Sequence, residues 1–257
     1  MTSPAWDPAQ YLKFADERLR PALDLLARVT VETPQTVYDL GCGPGNMTAR
    51  LRRRWPGARI IGVDSSEAML KKARADHPGI EFVAADLAGF RFPAPADVIV
   101  SNAALHWLAE HAGLFPALVR ALASGGTLAV QIPHVNDQPS HLLAAESAGS
   151  GPWRVRAVAA LPRYPDHAPA DYYGWLAGSC RTVDIWEMVY LHALSGDNAV
   201  LEWMMGAALR PLLAALSPEE QTGFLADYRQ RLRAAYPSRA DGITLFPFRR
   251  LFIVAVK

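Results

Sequence analysis

The chain has 257 residues, 51% of them hydrophobic, and a formal net charge of +1, so it can bury a large core and offers no broad basic surface to nucleic acid. Its two cysteines, Cys42 and Cys180, form no recognisable disulfide or metal framework, and no apolar run is long enough to cross a membrane. Residues 1–20 are polar with scattered charges, unlike a signal peptide, so we expect a cytoplasmic protein.

The chain is predicted to start with a helix. Asp7-Pro8 fits a helix start, where proline is tolerated in the first turn, and the helical pattern continues toward Val29. From Val37 to Ile132, strand-like runs alternate with helical runs, which is typical of a parallel sheet covered by helices on both faces. The strands are predicted near 37–40, 59–63, 80–84, 96–101 and 126–132.

The alternation stops after Pro133, and residues 134–175 are rich in proline, histidine and aromatic residues. The remaining predicted elements are a strand, two helices and two strands: Thr182–Leu194, Asn198–Leu216, Ser217–Tyr236, Ile243–Phe246 and Arg250–Val256. We therefore predict an α/β fold, with a Rossmann-like, seven-stranded, mostly parallel sheet, helices on both faces and an inserted, mostly helical lid. Such a lid would exclude water and select the substrate.

A glycine-rich turn follows the first predicted strand. The run Val37–Asn46 changes from an apolar strand to a turn, and a helix is predicted over Met47–Trp55. The glycines Gly41, Gly43 and Gly45 permit positive φ and let a ligand approach the backbone, while the helix start offers free N–H groups. The run therefore predicts a cofactor cradle.

The spacing of these glycines narrows the choice of cofactor. A dinucleotide fingerprint needs G-x-G-x-x-G, and Asn46 stands where its third glycine belongs. No Gly-Lys-Ser/Thr follows, which excludes a P-loop. Asp39, at the end of the apolar strand, suits a ligand that carries positive charge. Cys42 lies within the turn, where we expect a small packed residue rather than a nucleophile.

The next two predicted strands also end in acids. Asp64 follows the second strand about twenty residues past the glycines, the distance expected for a ribose-binding carboxylate. The helix after it opens with Ser65-Ser66, either of which is a sound N-cap, and Met69 one turn later either faces a bound adenine or packs in the core. Asp86 ends the third strand, where the structural alternative is a turn cap.

The fourth strand ends at Ser101-Asn102, and the loop after it carries Ala103, His106 and Trp107. Ligands in sheets of this type bind outside the carboxyl ends of the strands. Four consecutive strand ends with polar residues therefore predict one site along one edge, where cofactor and substrate meet at the loop.

The glycine turn, with Asp39 before it, resembles motif I of the class I S-adenosylmethionine-dependent methyltransferases. The resemblance implies that Asp39 faces the amino-acid part of the cofactor, that Asp86 accepts a hydrogen bond from the adenine amino group, and that Leu87 supplies a backbone N–H to the ring. The residues expected to bind S-adenosylmethionine are Tyr11, Arg20, Asp39, Gly41, Cys42, Gly43, Gly45, Asp64, Ser65, Met69, Asp86, Leu87, Asn102, Ala103 and Trp107.

Segments along nearly the whole chain are similar to the trans-aconitate methyltransferase family. They are Trp6–Phe14, Glu17–Pro21, Ser101–Trp107, Leu128–Pro133, Val183–Trp186, Gly206–Pro211 and Arg250–Ala255, whereas Gly149–Asp171 matches less closely. The resemblance implies methylation of a carboxylate of trans-aconitate, giving a monomethyl ester and S-adenosylhomocysteine. A carboxylate is already ionised at neutral pH and needs no general base. We therefore expect His106 to position or wall the substrate rather than to take a proton.

A tricarboxylate substrate calls for cationic partners, and arginine binds carboxylates best through paired N–H groups. The residues expected at this small polycarboxylate are Arg18, Tyr173, Trp203, Arg210, Arg249 and Arg250, with Arg210 the first choice among the arginines because it lies in apolar company. Arg20 and Tyr11 are expected at the cofactor carboxylate. No metal is expected.

The predicted organisation has four parts. Residues 1–30 form a helical segment over the cofactor, 31–133 the S-adenosylmethionine-binding core, 134–240 a further core strand with the lid, and 241–257 the strands that complete the sheet. Two other functions fit the same residues. One is a methyltransferase of this fold acting on an oxygen or nitrogen of another metabolite, with His106 as a base; the other is a non-catalytic S-adenosylmethionine-binding protein.

Overall fold

The structure of the protein is a computed structural model that describes residues 15–257, with side chains described from Leu19 onward. The start of the first predicted helix, Tyr11 and the side chain of Arg18 therefore lie outside the described residues. No helix within the described range is long and apolar enough to cross a membrane.

The centre of the fold is a seven-stranded sheet with the strand order β3-β2-β1-β4-β5-β7-β6. Its strands are β1 (Thr36–Leu40), β2 (Arg59–Asp64), β3 (Glu81–Ala84), β4 (Ala96–Asn102), β5 (Leu122–Pro133), β6 (Thr182–Ser195) and β7 (Ile243–Val256). The first five strands pair in parallel, and β7 pairs antiparallel with β5. The prediction of a mostly parallel, seven-stranded Rossmann-like sheet is confirmed.

Helices connect most of the parallel strands and form nearly half of the chain after β5. The described helices are α1 (Ala15–Ala27), α2 (Asn46–Arg54), α3 (Glu67–Asp76), α4 (His111–Arg120), α5 (Pro139–Ser150), α6 (Arg154–Ala160), α7 (Pro169–Leu176), α8 (Ala199–Met205), α9 (Arg210–Ala214) and α10 (Pro218–Ala235). Parallel strands need such crossovers because the end of one strand and the start of the next lie at opposite edges of the sheet. The central strands β1 and β4 are largely buried, whereas the edge strand β3 is partly exposed.

The two faces of the sheet follow from strand alternation and register. Tyr38 is opposite Ile99, and Ile99 is opposite Leu128, so these apolar side chains share one face, where they belong to one buried core cluster. Asp39, opposite Val100, faces the other way. The sequence of β1 thus places an acid on the face opposite its tyrosine.

The chain divides into two compact units. The sheet unit comprises Ala15–His134, Tyr164–Met188 and Arg250–Lys257, and the described part of the helical unit comprises Val135–Arg163 and Val189–Arg249. Within the helical unit, the Tyr228 hydroxyl donates to the Ser140 carbonyl oxygen at 2.7 Å, which ties α10 to α5 in addition to their shared apolar core.

Two predictions about the carboxyl-terminal half are wrong in detail. The single helix predicted over Asn198–Leu216 is two helices, α8 and α9. The first ends at Met205, with Gly206 as its C-cap. Pro211 lies in the first turn of the second, where its missing N–H costs no hydrogen bond. The two predicted last strands are one continuous strand through Pro247. Proline is tolerated there because the β5 register ends at Arg250.

Candidate functional site

The parallel strands β1, β2, β4 and β5 end at one edge of the sheet, here called the carboxyl edge. The glycine turn leaves β1 there, and its Gly41 and Cys42 N–H groups both donate to the carbonyl oxygen of Val63 in β2, at 2.8 and 3.1 Å. The Ser101 hydroxyl of β4 donates to the Leu40 carbonyl oxygen of β1 at 2.8 Å. These bonds hold the ends of three adjacent strands together.

The three glycines of the turn serve different purposes. All have positive φ, of 73° at Gly41, 52° at Gly43 and 83° at Gly45. A Cβ at Gly41 would lie 2.1 Å from the Cβ of Ala104, and one at Gly45 would lie 2.8 Å from His77, so packing excludes side chains at both. Gly43 has nothing within 4 Å of that position. Gly43 is therefore the glycine that leaves space for a ligand.

Asp64 joins the glycine turn to the start of α3. One carboxylate oxygen accepts the N–H of Gly43 at 2.9 Å, and the other accepts the N–H of Ser66 at 2.8 Å. A carboxylate has about four lone-pair sites, so acceptor capacity remains for ribose hydroxyls. Ser66 is the N-cap of α3, accepting the Met69 N–H, whereas Ser65 is exposed in the turn before it.

Asp39 is buried behind the turn, 1% exposed, and its carboxylate accepts a hydrogen bond from the Thr48 hydroxyl of α2 at 2.6 Å. Burial raises the pKa of Asp39 to about 7, helped by the charge of Asp64, while the Thr48 bond acts in the opposite direction. Burial and the Asp39 and Asp64 charges likewise raise the pKa of the Cys42 thiol, which favours a packed residue over a nucleophile. The pair of carboxylates favours a cationic ligand.

The three residues predicted near the adenine, Asp86, Leu87 and Met69, differ in their exposure and contacts. Asp86 is exposed and accepts the Ala88 N–H at 3.0 Å, which is the turn-capping role, and its outer lone pairs remain available. Leu87 lines a groove of about 780 Å³ together with Leu40. Met69 is 3% exposed and therefore packed inside the protein.

The end of β4 carries backbone strain and a buried acceptor. Ala103 has a φ of 52°, the one positive φ at a non-glycine residue among those described, and its N–H donates to the Gln131 carbonyl oxygen at 2.8 Å. The Oδ1 atom of Asn102 is buried and has no hydrogen-bond partner among the described residues. Strain and an unsatisfied acceptor at a strand end are typical of a binding site.

His106 and Trp107 lie in a short 3₁₀ turn after β4 and form an aromatic cluster with Tyr164. The ring centroid of Tyr164 lies 5.2 Å from each of the other two, and Trp107 remains 38% exposed. Below this turn, the Nε2 atom of His111 is 2.9 Å from the Leu105 carbonyl oxygen, and burial lowers the pKa of His111. The histidine therefore supports the turn in its neutral form.

The residues predicted at the substrate lie in both units. In the sheet unit, Arg20 and Tyr173 are exposed, whereas Arg250 is 3% exposed and donates from Nη1 to Oε1 of Gln131 at 3.1 Å. In the helical unit, Trp203 is packed in the core, and Arg210, the first choice, is half-buried at the start of α9. Arg249, also in that unit, pairs with Asp137 at 2.5 Å.

Several polar residues of the sheet unit are not among the predicted site residues. Gln131 lies near the end of the strand predicted at 126–132 but within an apolar run with no acid after it, and Tyr164 lies in the irregular segment after β5. His134, directly after β5, pairs with Glu187 of β6, a contact that only the pairing of distant strands could indicate. No cluster of three or more His, Cys, Asp or Glu side chains suited to a metal ion occurs within residues 15–257.

Comparisons with known proteins agree with this geometry. A family model described as a methyltransferase domain matches residues 37–126. A structure of phosphoethanolamine N-methyltransferase 2 from Haemonchus contortus, in complex with S-adenosyl-L-methionine, is 18% identical with a TM-score of 0.57 and covers 93% of this chain and 52% of that chain. The fold is that of methyltransferase structures, and the family model identifies a methyltransferase domain at residues 37–126.

Two full-length relatives narrow the class. A trans-aconitate 2-methyltransferase of Azoarcus sp. (strain BH72) is 49% identical over 99% of this chain and 100% of its own. Another of that name, from Methylobacterium nodulans, is 50% identical over 97% of each chain. The chain belongs to the trans-aconitate 2-methyltransferase family.

Proposed function

We propose that the protein transfers the methyl group of S-adenosylmethionine to a carboxylate of trans-aconitate, giving a monomethyl ester and S-adenosylhomocysteine. The observation that carries the proposal is the 49% identity, over the full length of the relative, to a protein named for this activity. The carboxyl edge supports it independently, because its residues fit a ligand with positive charge and a ribose.

The cofactor would lie over Gly43. The space above this residue accommodates close approach to the backbone, and Asp64 beside it retains lone pairs for two hydroxyl groups. Asp39 is a buried acid with a pKa raised to about 7, and a cationic amino-acid part would favour its ionised form whereas a phosphate would disfavour it. When bound, the cofactor supplies a methyl group attached to a positively charged sulfur.

The protein's own contribution to this reaction is alignment. A substrate carboxylate is ionised at neutral pH, so no side chain needs to remove a proton before its oxygen attacks the methyl group in line. Holding two reactants in the reactive geometry and keeping water out supply most of what such a step requires. The aromatic cluster of His106, Trp107 and Tyr164 provides a wall for this purpose beside the end of β4.

A methyl-transfer assay tests the proposal. Purified protein is incubated with S-adenosylmethionine labelled in its methyl group and with trans-aconitate, cis-aconitate, isocitrate or citrate. We expect base-labile label in the ester fraction with trans-aconitate, and none with Asp64→Ala, a control that excludes a contaminating enzyme. Equal labelling of unrelated phenols or amines would contradict the proposed substrate, and cofactor binding without transfer to any acid would indicate a non-catalytic protein.

A further inference from the structure

Three neighbouring strands carry polar side chains on one face at the carboxyl edge. Asn102 of β4 is opposite Gln131 of β5, and Arg250 of β7 is opposite Pro133, two residues beyond Gln131. Since side chains two residues apart on a strand share a face, Gln131 and Arg250 lie on the same side of the sheet.

This side is also the side of Asp39. Ala129, two residues before Gln131, is opposite Val100, which is opposite Asp39. The row therefore faces the same way as the buried acid of the cofactor cradle.

Gln131 and Arg250 are bonded to each other deep inside the protein. Gln131 is 0% and Arg250 3% exposed, and the guanidinium donates from Nη1 to Oε1 of Gln131 at 3.1 Å. This bond fixes the orientation of the amide, because the reverse orientation would set its NH₂ group against the guanidinium N–H groups. The amide nitrogen, Nε2, is buried and has no hydrogen-bond partner among the described residues.

A buried donor without a partner destabilises the folded protein, so such groups are commonly completed by a ligand or by water. The ligand chemistry follows from the groups present. At the Gln131 and Arg250 end of the row, the guanidinium and the amide N–H groups all donate, and the guanidinium carries a positive charge. A carboxylate supplies acceptor oxygens and the opposite charge, whereas a cationic group would be repelled.

We propose that Gln131 and Arg250 form a carboxylate-binding subsite at the carboxyl edge. Arg250 supplies the charge, and Gln131 both orients the guanidinium and donates from Nε2. The inference rests on the proposed function for the identity of its ligand. Two molecules of that reaction carry a carboxylate, namely trans-aconitate and the amino-acid part of the cofactor.

Gln131→Glu tests the subsite because it separates folding from binding. The new carboxylate would keep an acceptor oxygen beside Nη1 of Arg250, so we expect the protein to stay folded. It would also remove the Nε2 donor and repel a ligand carboxylate. A purely structural role for Gln131 predicts unchanged binding in this variant. Arg250→Lys, which keeps the charge but loses the planar fork, is the second variant if Gln131→Glu loses cooperative unfolding.

The readouts are calorimetric titration with S-adenosylhomocysteine, titration of the S-adenosylhomocysteine-saturated protein with trans-aconitate, and KM for trans-aconitate. Thr127→Val is the matched control, since Thr127 is buried on the same strand, away from the carboxyl edge, and its hydroxyl has no partner among the described residues. We expect Gln131→Glu to lower the affinity for one of the two ligands by at least tenfold, and Thr127→Val to change neither affinity.

Weaker trans-aconitate binding with unchanged S-adenosylhomocysteine affinity assigns the subsite to the substrate, and the opposite result assigns it to the cofactor. If Gln131→Glu, or Arg250→Lys in its place, changes neither affinity, the subsite is overturned, whatever the wild-type activity. If wild-type protein fails to bind or methylate trans-aconitate, the proposed function fails, and the S-adenosylhomocysteine titration then decides whether Gln131 and Arg250 bind the cofactor carboxylate.

Discussion

Gly43 and Asp64, 21 residues apart in the chain, are joined by a 2.9 Å hydrogen bond from the glycine N–H to the carboxylate. The same carboxylate accepts the Ser66 N–H, so one side chain orders the glycine turn and the start of α3. Because the sequence pattern also assigns Asp64 to the cofactor ribose, turn conformation and cofactor affinity should depend on the same carboxylate.

Asp64→Asn should weaken S-adenosylmethionine binding by at least tenfold, or about 1.4 kcal/mol. The amide retains one acceptor oxygen, and its NH₂ group would face a backbone N–H in place of the second bond. Calorimetric titration measures the change. Asp76→Asn is the control, since it also removes one acid but lies in an exposed pair with Lys72 at 2.8 Å. Equal affinity in wild type and Asp64→Asn would remove the ribose assignment.

Gly41→Ala should mainly lower the unfolding free energy, whereas Gly43→Ala should mainly lower the affinity for the cofactor. At Gly41 the new methyl group would overlap the Cβ of Ala104, so we expect a loss of about 3 kcal/mol or more in unfolding free energy. At Gly43 only the positive φ opposes alanine, which costs roughly 1–2 kcal/mol, but the methyl group would occupy ligand space.

Urea unfolding and S-adenosylhomocysteine titration of both variants check this pair. Gly43→Ala should lose affinity while remaining folded at room temperature. Full affinity in Gly43→Ala would mean that the ligand does not approach this part of the turn.

Asp39→Asn should be more stable than the wild type, by an amount that increases as pH rises. The folded-state pKa of Asp39 is raised from 3.8 to about 7, so the unfolded chain releases this proton first, and the wild type loses stability as pH rises between these values. The full shift corresponds to about 4 kcal/mol, at 1.36 kcal/mol per pKa unit. Asparagine removes the ionisation and can still accept from Thr48.

The measurement is urea unfolding of both proteins at pH 5 and pH 8. The advantage of Asp39→Asn should be larger at pH 8, while its S-adenosylmethionine affinity falls below that of the wild type. Thr48→Val serves as the control, because it removes the hydrogen bond but keeps the carboxylate. A stability difference that stays constant with pH would contradict a buried, titrating Asp39.

His106→Gln should retain most of the turnover of the wild type. A carboxylate nucleophile needs no base, so kcat should fall by less than about threefold and show no inflection between pH 6 and 8. Steady-state kinetics with trans-aconitate across that range provides the test. A fall of a hundredfold or more, together with loss of a bell-shaped pH profile, would favour a base mechanism and a protonated acceptor.

Local sequence patterns predict structure well where an element depends on its immediate neighbours. The glycine turn and the acid that ends β2 both depend on spacing within a few residues, and the structure has both of these local elements. Of the two candidate caps of α3, the structure selects Ser66, because its hydroxyl accepts from Met69 three residues later.

Contacts that depend on strand register are harder to predict from the sequence. Gln131 is one polar residue in an apolar strand, and only the antiparallel pairing of β5 with a strand more than a hundred residues later brings Arg250 beside it. Local composition favours Arg210 as the first-choice arginine for the substrate, because its sequence neighbours are apolar. Burial of Arg250 arises from the sheet instead, which local composition does not encode.

Tyr172→Phe should destabilise the protein, whereas Tyr173→Phe should not. The Tyr172 hydroxyl lies 2.7 Å from Nδ1 of His111, and the opposite nitrogen, Nε2, lies 2.9 Å from the Leu105 carbonyl oxygen. With Nε2 donating to that carbonyl, neutral His111 needs the hydroxyl as a donor to Nδ1. Removing it leaves a buried acceptor unsatisfied, at about 1–3 kcal/mol.

Tyr173 is the matched control because it is the next residue of the same helix and is 56% exposed. Unfolding free energies from urea titration should therefore separate the two variants by at least 1 kcal/mol, about the lower bound for an unsatisfied buried acceptor. Since Leu105 begins the turn that carries His106 and Trp107, Tyr172→Phe should also quench or shift Trp107 fluorescence relative to Tyr173→Phe, with Trp107→Phe identifying that signal. Equal stability and equal spectra in both variants would show that His111 supports the turn without its tyrosine partner.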